Sequence, residues 1–202
     1  MKELKGEVTR QRILEAAFDE MYIHGYQGMR IEQVLEKTKL AKGALYHHFP
    51  NKKAIGYAVV EEIIHPKSRL IYEGVADAVD PITAQREILK NACECVSEHE
   101  VELGCPVNNL AQEMAGLDTG FKERLNSIYY DWAEAIECAL ISGQKSGMVR
   151  SDIKPKSVSV FLVSTIQGLL GTAKCMQSKA ILTELTEVLC DYLESLRARK
   201  EN

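Results

Sequence analysis

Two short apolar patterns joined by a tight connection constrain this fold more than any other feature of the sequence. In the segment 29–53, four residues share the i, i+3, i+4, i+7 spacing of one buried helix face: Ile31, Val34, Leu35 and Thr38. Residues 39–40 form the connection, and a second helix is expected over residues 41–47. The anchors of so short a helix are apolar: Leu40, Leu45 and Phe49. The pattern predicts a helix-turn-helix with one free face.

The free face of this second helix is suited to close contact with a nucleic acid. Its outward residues combine small and hydrogen-bonding side chains: Lys42, Gly43, Ala44, Tyr46 and His47. Small residues let a backbone approach base edges, whereas lysine, tyrosine and histidine donate hydrogen bonds to phosphate oxygens. We therefore predict phosphate contacts from Lys42, Tyr46, His47 and Lys52, with Arg30 as a further one. Gly43 and Ala44 are predicted to lie near base edges, and His48 either touches DNA or supports the fold beside Phe49.

The segment after the second helix also points to an anion. Asn51 is a good N-cap, so Lys52 and Lys53 are expected in the first turn of a further helix. Cations at that end oppose the helix dipole, which favours an external anion or a solvated surface.

The run from Thr9 to about Ile63 resembles the DNA-binding domain of the TetR family of transcriptional repressors. The resemblance rests on an apolar helix, a glycine-aromatic corner, the helix-turn-helix and the residues LYHHFPNK, from Leu45 to Lys52. It implies an all-α fold with about nine helices. A three-helix DNA-binding domain would occupy residues 1–53, and a ligand-binding and dimerisation domain residues 54–202.

The chain departs from the family pattern at two helix starts. The family usually has a serine or threonine cap there, whereas the positions near Met29 and Ala41 are apolar. A missing cap typically costs about 1 kcal/mol and removes one phosphate contact. Arg30 is expected to replace that contact electrostatically.

Charge is distributed in the way that a DNA-binding head requires. The chain carries a net charge of −4, yet residues 1–53 contain ten Lys or Arg and seven Asp or Glu, a net of +3. The remainder therefore carries −7, so the body is repelled by a duplex to which the head is attracted.

Helices are predicted along almost the whole chain. The first ends at Gly25, because glycine suits the position after a helix, and a proline at residue 66 either kinks or ends the fourth. The predicted helices are residues 9–24, 31–38, 41–47, 52–66, 81–98, 106–114, 119–146, 155–175 and 179–199.

The helix over residues 155–175 is apolar on more than one face, and Gly168 and Gly171 would let another helix approach it. Either a second subunit covers it, giving a homodimer through a four-helix bundle with residues 179–199, or it is the buried central helix of a monomer. The family resemblance implies the dimer. Two heads related by a two-fold axis would read a palindromic operator in double-stranded DNA, with half-sites about 34 Å or a multiple of it apart.

A small-molecule effector is implied by the same resemblance, and one cysteine is the sharpest clue to its site. Pro106 suits the first position of a helix, which makes Cys105 its N-cap, beside free backbone N–H groups that stabilise a thiolate. The sequence GCPVNNLAQE resembles the corresponding segment of family members in which this helix start lines the pocket, and some of those members sense electrophiles or oxidants. Glu98, Glu100 and Glu102 would oppose this by raising the pKa of the thiol, so an inert cysteine is the alternative.

Other candidates for the effector pocket were chosen because such pockets are mostly apolar with a few placed polar groups. Together with Cys105 they are Asn108, Asn109, Tyr129, Trp132, Phe161 and Gln167, and less directly Tyr72 and Met114.

Other classes of function are disfavoured. No nucleophile–base set, metal-ligand spacing or phosphate-binding glycine loop indicates an enzyme or a cofactor. Cys93 and Cys95 point to opposite sides of a helix, so they do not form a metal site with His99, and the six cysteines are expected as reduced thiols. Without a signal peptide or an uninterrupted apolar run of about 20 residues, a cytoplasmic protein with no membrane role is predicted. A dimeric DNA-binding protein controlled by a protein partner is the alternative function.

Overall fold

The computed structural model describes the backbone of residues 2–199 and the side chains of residues 6–199, and the regular elements of this part of the chain are helical. A lone pairing of Val149 with Arg197 is its single β-bridge. The elements are α1 Lys2–Gly28, α2 Ile31–Thr38, α3 Lys42–His48, α4 Lys52–Val59, a π-helical turn Val60–Ile64, α5 His65–Arg69, α6 Glu73–Ala76, α7 Pro81–Cys95, α8 Glu98–Leu103, α9 Pro106–Met114, α10 Thr119–Lys145, α11 Pro155–Met176 and α12 Lys179–Ser195. The predicted all-α fold class is confirmed.

Most predicted helix ends lie where local chemistry placed them. Gly25 interrupts α1 with φ 72° and ψ 167°, and the Asp80 side chain caps α7 by accepting from the backbone N–H groups of Ile82 and Thr83. The helix predicted to reach residue 98 ends earlier, at Cys95. Ser97 and Glu100 form a reciprocal capping box there and begin the separate helix α8, which was not predicted. The short α6 was not predicted either.

Pro66 neither ends the helical path nor breaks it. The π-helical turn Val60–Ile64 lies just before it, and the backbone N–H of His65 donates to the carbonyl of Val60, five residues back. Proline lacks a donor, and its ring crowds the preceding turn of a regular α-helix. The wider turn accommodates the ring, so the helix continues to Arg69.

Two compact units divide the chain. One contains the residues up to Lys67 together with Asn109–Asn126, and the other contains Ser68–Asn108 and Ser127–Asn202. The first is larger than the DNA-binding domain predicted for residues 1–53, since it includes α4, α9 from Asn109 onward and the start of α10. The compact units therefore do not end at residue 53. The functional boundary at that residue stays a prediction.

The core of the first unit has an aromatic centre. The ring of Phe121 is fully buried, with its centroid 4.5 Å from that of Tyr26 and 4.9 Å from that of Tyr57. Gly56 lies under this group, where a Cβ atom would be 2.7 Å from ring carbons of both Phe121 and Tyr26. The absence of a side chain at residue 56 is thus what lets α4 approach these rings.

The second unit is a helical core in which α7 packs on α12, and α12 on α11. Its buried cluster is largely aliphatic, with Trp132 and Tyr72 stacked at a centroid distance of 6.3 Å. Helix α11 alone is long and apolar enough, among the described residues, to cross a membrane by length and composition. Part of this apolar character is used inside the unit, because Leu162, Val163 and Ile166 belong to the buried cluster.

Replacing Gly56 by alanine is expected to lower the free energy of unfolding by about 1–3 kcal/mol, because the added methyl overpacks the aromatic centre. Urea denaturation followed by circular dichroism measures the change. Gly43→Ala is the matched control, since a Cβ at residue 43 meets no atom within 4 Å and a helical alanine is favoured over glycine. Equal losses of stability in the two variants would contradict the packing argument.

Candidate nucleic-acid interface and effector site

The second helix of the helix-turn-helix, α3, is held by the buried Leu45 and by the buried Phe49 that follows it, and most of its other side chains are exposed. Leu45 and Phe49 lie in the core as predicted, and the guanidinium of Arg10 covers the Phe49 ring at 5.0 Å. Of the predicted DNA-binding residues, Lys42, Gly43, Tyr46 and His47 are exposed and Ala44 is half-buried. His48 is half-buried with its ring edge-on to that of His47 at 5.5 Å, which does not decide between its two predicted roles.

The turn before α3 is fixed by residues of α1. Lys39 adopts a left-handed conformation, with φ 55° and ψ 32°, which costs a non-glycine residue about 1–2 kcal/mol. Arg12 donates a hydrogen bond of 2.7 Å to the carbonyl of Thr38, and Lys37 pairs at 3.0 Å with the buried carboxylate of Glu20. These contacts hold the end of α2 and offset the cost of the turn. Neither Arg12 nor Glu20 was predicted, because contacts with residues far along the chain have no local signature.

Both helices of the motif begin without a side-chain cap among the described residues, as the apolar residues at their starts suggested. Arg30 occupies the N-cap of α2 and Ala41 that of α3, both in extended conformation. Arg30 is exposed, so its guanidinium is open to solvent at the start of α2.

The predicted cap of the next helix is present, but both lysines that follow it have partners within the chain. The Asn51 side chain accepts from the backbone N–H of Ala54 at 2.8 Å. Lys52 donates to the carbonyl of Gln27 at 3.0 Å, and its half-buried position lowers the pKa of its ammonium. Lys53 pairs with Asp118 at 2.7 Å. For Lys53, the anion that the sequence predicted at this helix start is therefore the carboxylate of Asp118.

Two carboxylates from the segment 109–126 bind the region where α1 ends and α4 begins. Glu113 accepts from the backbone N–H groups of Tyr26 and Gln27 at 2.9 and 2.8 Å. Asp118 accepts from the Tyr57 hydroxyl at 2.5 Å and the backbone N–H of Phe121 at 3.0 Å, and these bonds, with Lys53, hold the pKa of its carboxyl well below the usual range. Sequence reasoning assigned neither residue a role.

Four of the predicted effector-binding residues come together in the second unit. Cys105 lies beside Gln167, and the Asn108 amide donates to the Gln167 backbone carbonyl at 3.5 Å. Tyr129 lies near enough to Cys105 for the two side chains to interact electrostatically. Gln167 is only 6% exposed, and in the described part of the chain its amide atoms lack hydrogen bonds of normal geometry. A buried amide without partners is costly, so a bound molecule would stabilise it.

Burial controls the ionisation of this cluster. It raises the pKa of the Cys105 thiol above the ordinary value and outweighs the backbone N–H groups of Asn108 and Val107, which favour the thiolate. Burial likewise raises the pKa of Tyr129 to about 12. The predicted N-cap donors are present, but the pKa of the thiol is raised, and the cause is desolvation and not the upstream glutamates.

The remaining effector candidates differ in their exposure and packing. Trp132 is buried against Tyr72. Phe161 is 49% exposed and packs on Tyr192 at 5.1 Å, so its ring belongs to an outer face and not to an enclosed pocket. Asn109 is half-buried, and Met114 is a core residue of the first unit.

This unit also contains a hollow with apolar walls. It has a volume of about 170 Å³ and lies between α7, α11 and α12. Its lining is Ile71, Leu89, Ala92, Cys93, Val96, Ile166, Leu169, Leu170, Leu182 and Thr186. No group of three or more potential metal ligands occurs among the described residues.

Helices α11 and α12 carry several exposed apolar side chains: Val160, Phe161, Met176 and Val188. Gly168 is exposed on α11, where a Cβ would meet no atom within 4 Å. Gly171, also predicted to admit a helix, instead faces Asn108 of its own unit.

Comparison with known proteins agrees with this geometry. The family model of the bacterial regulatory proteins of the tetR family matches residues 13–59, which contain the helix-turn-helix. The model of the tetracyclin repressor-like C-terminal domain matches residues 82–189, more than half of the chain.

Whole-length relatives show the same organisation. The transcriptional repressor DhaR of Mycobacterium sp. strain GP1 is 26% identical over 185 residues, which cover 92% of each chain. Among solved structures, a TetR regulatory protein of Rhodobacter sphaeroides has a TM-score of 0.80 at 24% identity, covering 92% of this chain and 98% of its own. The reduced form of E. coli NemR has a TM-score of 0.81 at 18% identity, covering 96% and 100%. The chain belongs to the TetR family of DNA-binding transcriptional regulators.

Proposed function

We propose that this protein is a homodimeric repressor that binds a palindromic operator and is released from it by a small-molecule effector. The observation that carries the proposal is α3, whose Leu45 and Phe49 are buried while Lys42, Gly43, Tyr46 and His47 are exposed. TetR-family regulators bind DNA operators as dimers, and they are soluble regulators, not enzymes. Cytoplasmic location follows from that role.

Within each head, Lys42, Tyr46 and His47 are proposed to contact phosphate, and Gly43 and Ala44 to face base edges. The ammonium of Lys42 lies 5.9 Å from the centre of the Tyr46 ring, so both groups are presented together on one surface. Arg30 is proposed as an additional phosphate contact from the start of α2. Lys52 is proposed to contact phosphate and also to stabilise the fold, because its ammonium already donates to the carbonyl of Gln27.

Lys42→Ala is expected to weaken DNA binding about equally for all sequences and to flatten the slope of log affinity against log salt by about one unit. Selection of bound DNA from a random pool identifies the operator, and a salt titration by fluorescence anisotropy measures the slope. Lys145→Ala, which removes an exposed lysine at the end of α10, is the control and should leave the slope unchanged. An unchanged slope for Lys42→Ala would remove this residue from the interface.

Dimerisation is proposed to occur through the exposed face of α11 and α12. The open position of Gly168 lets the same helix of a second subunit approach closely, and the neighbouring apolar side chains would be buried by it. A dimer of this kind presents two copies of α3 to successive turns of a duplex.

Gly168→Arg is expected to weaken dimerisation roughly tenfold or more, because an unpaired charge buried in an interface costs several kcal/mol. The monomer has room for the side chain, so its helical content should not change. Sedimentation equilibrium measures the association. Gly116→Arg adds the same charge at another open, exposed position and should stay dimeric; a dimeric Gly168→Arg would refute this interface.

The effector is proposed to bind at Cys105, Asn108, Tyr129 and Gln167. The unpartnered Gln167 amide supports a ligand that offers both a hydrogen-bond donor and an acceptor. Since burial raises the pKa of the Cys105 thiol and so disfavours the reactive thiolate, reversible binding is favoured over covalent sensing of an electrophile or oxidant.

Iodoacetamide is therefore expected to alkylate the exposed Cys138 and Cys175 well before Cys105 in the folded protein. Mass spectrometry of peptides over a time course gives the order. Earlier alkylation of Cys105, with loss of DNA binding in the wild type but not in Cys105→Ser, would establish the covalent alternative.

A further inference from the structure

The end of α1 contains two backbone donors that a distant carboxylate satisfies. Gly25 departs from helical geometry, so the residues after it begin a new turn whose first N–H groups have no partner in the preceding helix. Glu113, 87 residues beyond Tyr26, fills this role for Tyr26 and Gln27. A carboxylate is favoured at such a turn because its charge faces the positive end of the local dipoles.

Gly25 and Glu113 fit each other closely. A Cβ at residue 25 would lie 2.7 Å from a carboxylate oxygen of Glu113, and the φ of 72° already favours glycine. The corner is completed by Lys52, whose ammonium bonds to the carbonyl of Gln27 and lies 5.1 Å from the centre of the Tyr26 ring. The start of α4 and the end of α1 are thus joined at the site of Glu113.

Asp118, five residues after Glu113, makes a second attachment. It binds Tyr57 and Lys53 of α4, while Phe121, three residues later, fills the space between Tyr26 and Tyr57. The segment 109–126 therefore holds both helices that flank the helix-turn-helix, through two carboxylates and one buried ring.

We infer that Glu113 and Asp118 are positioning residues for operator recognition, in which Glu113 sets the angle between α1 and α4 and Asp118 secures it. The inference rests on the proposed DNA-binding function and adds to it a role for residues that touch no DNA. Non-specific binding depends mainly on the number of cations that reach phosphate, whereas specific binding also requires the correct placement of α3. Loss of positioning therefore lowers the ratio of specific to non-specific affinity.

The test compares full-length wild type with Glu113→Ala, Glu113→Gln and the control Glu123→Ala, which removes an exposed carboxylate from the same segment. Anisotropy titrations use the operator selected by the wild type and an unrelated duplex of equal length. Glu113→Ala is expected to lower the specific to non-specific ratio about tenfold, with Glu113→Gln intermediate because it keeps one acceptor oxygen. Hydrogen exchange should show loss of protection at the amides of Tyr26 and Gln27, and Glu123→Ala should match the wild type.

A purely structural role predicts a different pattern, in which both affinities fall together with the folded fraction measured by circular dichroism. That pattern, or a wild-type ratio in Glu113→Ala, would overturn the inference while leaving the proposed function intact. If Glu113→Ala does not fold, a wild-type ratio in Glu113→Gln overturns it equally. Failure of the wild type to select any DNA would overturn the proposed function and this inference with it.

Discussion

The burial of Phe121 between Tyr26 and Tyr57 is the contact on which the DNA-binding unit depends. These three rings belong to the first, fourth and tenth helices, so packing them together brings a segment distant in sequence into the core of the head. Gly56 makes the approach possible by leaving the space that a methyl group would fill. With this centre in place, Glu113 and Asp118 reach the backbone and side chains of the flanking helices, and α3 is left with its outer face free.

Not all positive charges of the head are available to form a basic surface. Residues 1–53 carry a net charge of +3, but Lys37 and Lys53 pair with Glu20 and Asp118, and Lys52 binds a backbone carbonyl. Some of the positive charge is therefore used to hold helices together. Lys42 and Arg30 remain exposed, which fits their proposed role in attracting phosphate.

In the second unit, desolvation decides the chemistry of the effector cluster. The same backbone N–H groups that favour a thiolate at Cys105 are present as the proline-led helix start predicts, yet the surrounding apolar atoms raise the pKa of the thiol. The buried Gln167 amide also lacks hydrogen bonds of normal geometry among the described residues. A partly buried group of neutral polar side chains is suited to reversible recognition by hydrogen bonds and poorly suited to a nucleophilic cysteine.

Local chemistry in the sequence by itself determined the fold class, the helix-turn-helix and most helix ends. Hydrophobic spacing, the caps at Asn51 and Asp80, and the break at Gly25 act within a few residues, and Leu45 and Phe49 were identified as core for the same reason. Tertiary structure alone decided the partners of Lys53 and Glu113, the exposure of Phe161 and the ionisation of Cys105. Each of these depends on atoms brought together from distant parts of the chain, and neither spacing nor composition records that proximity.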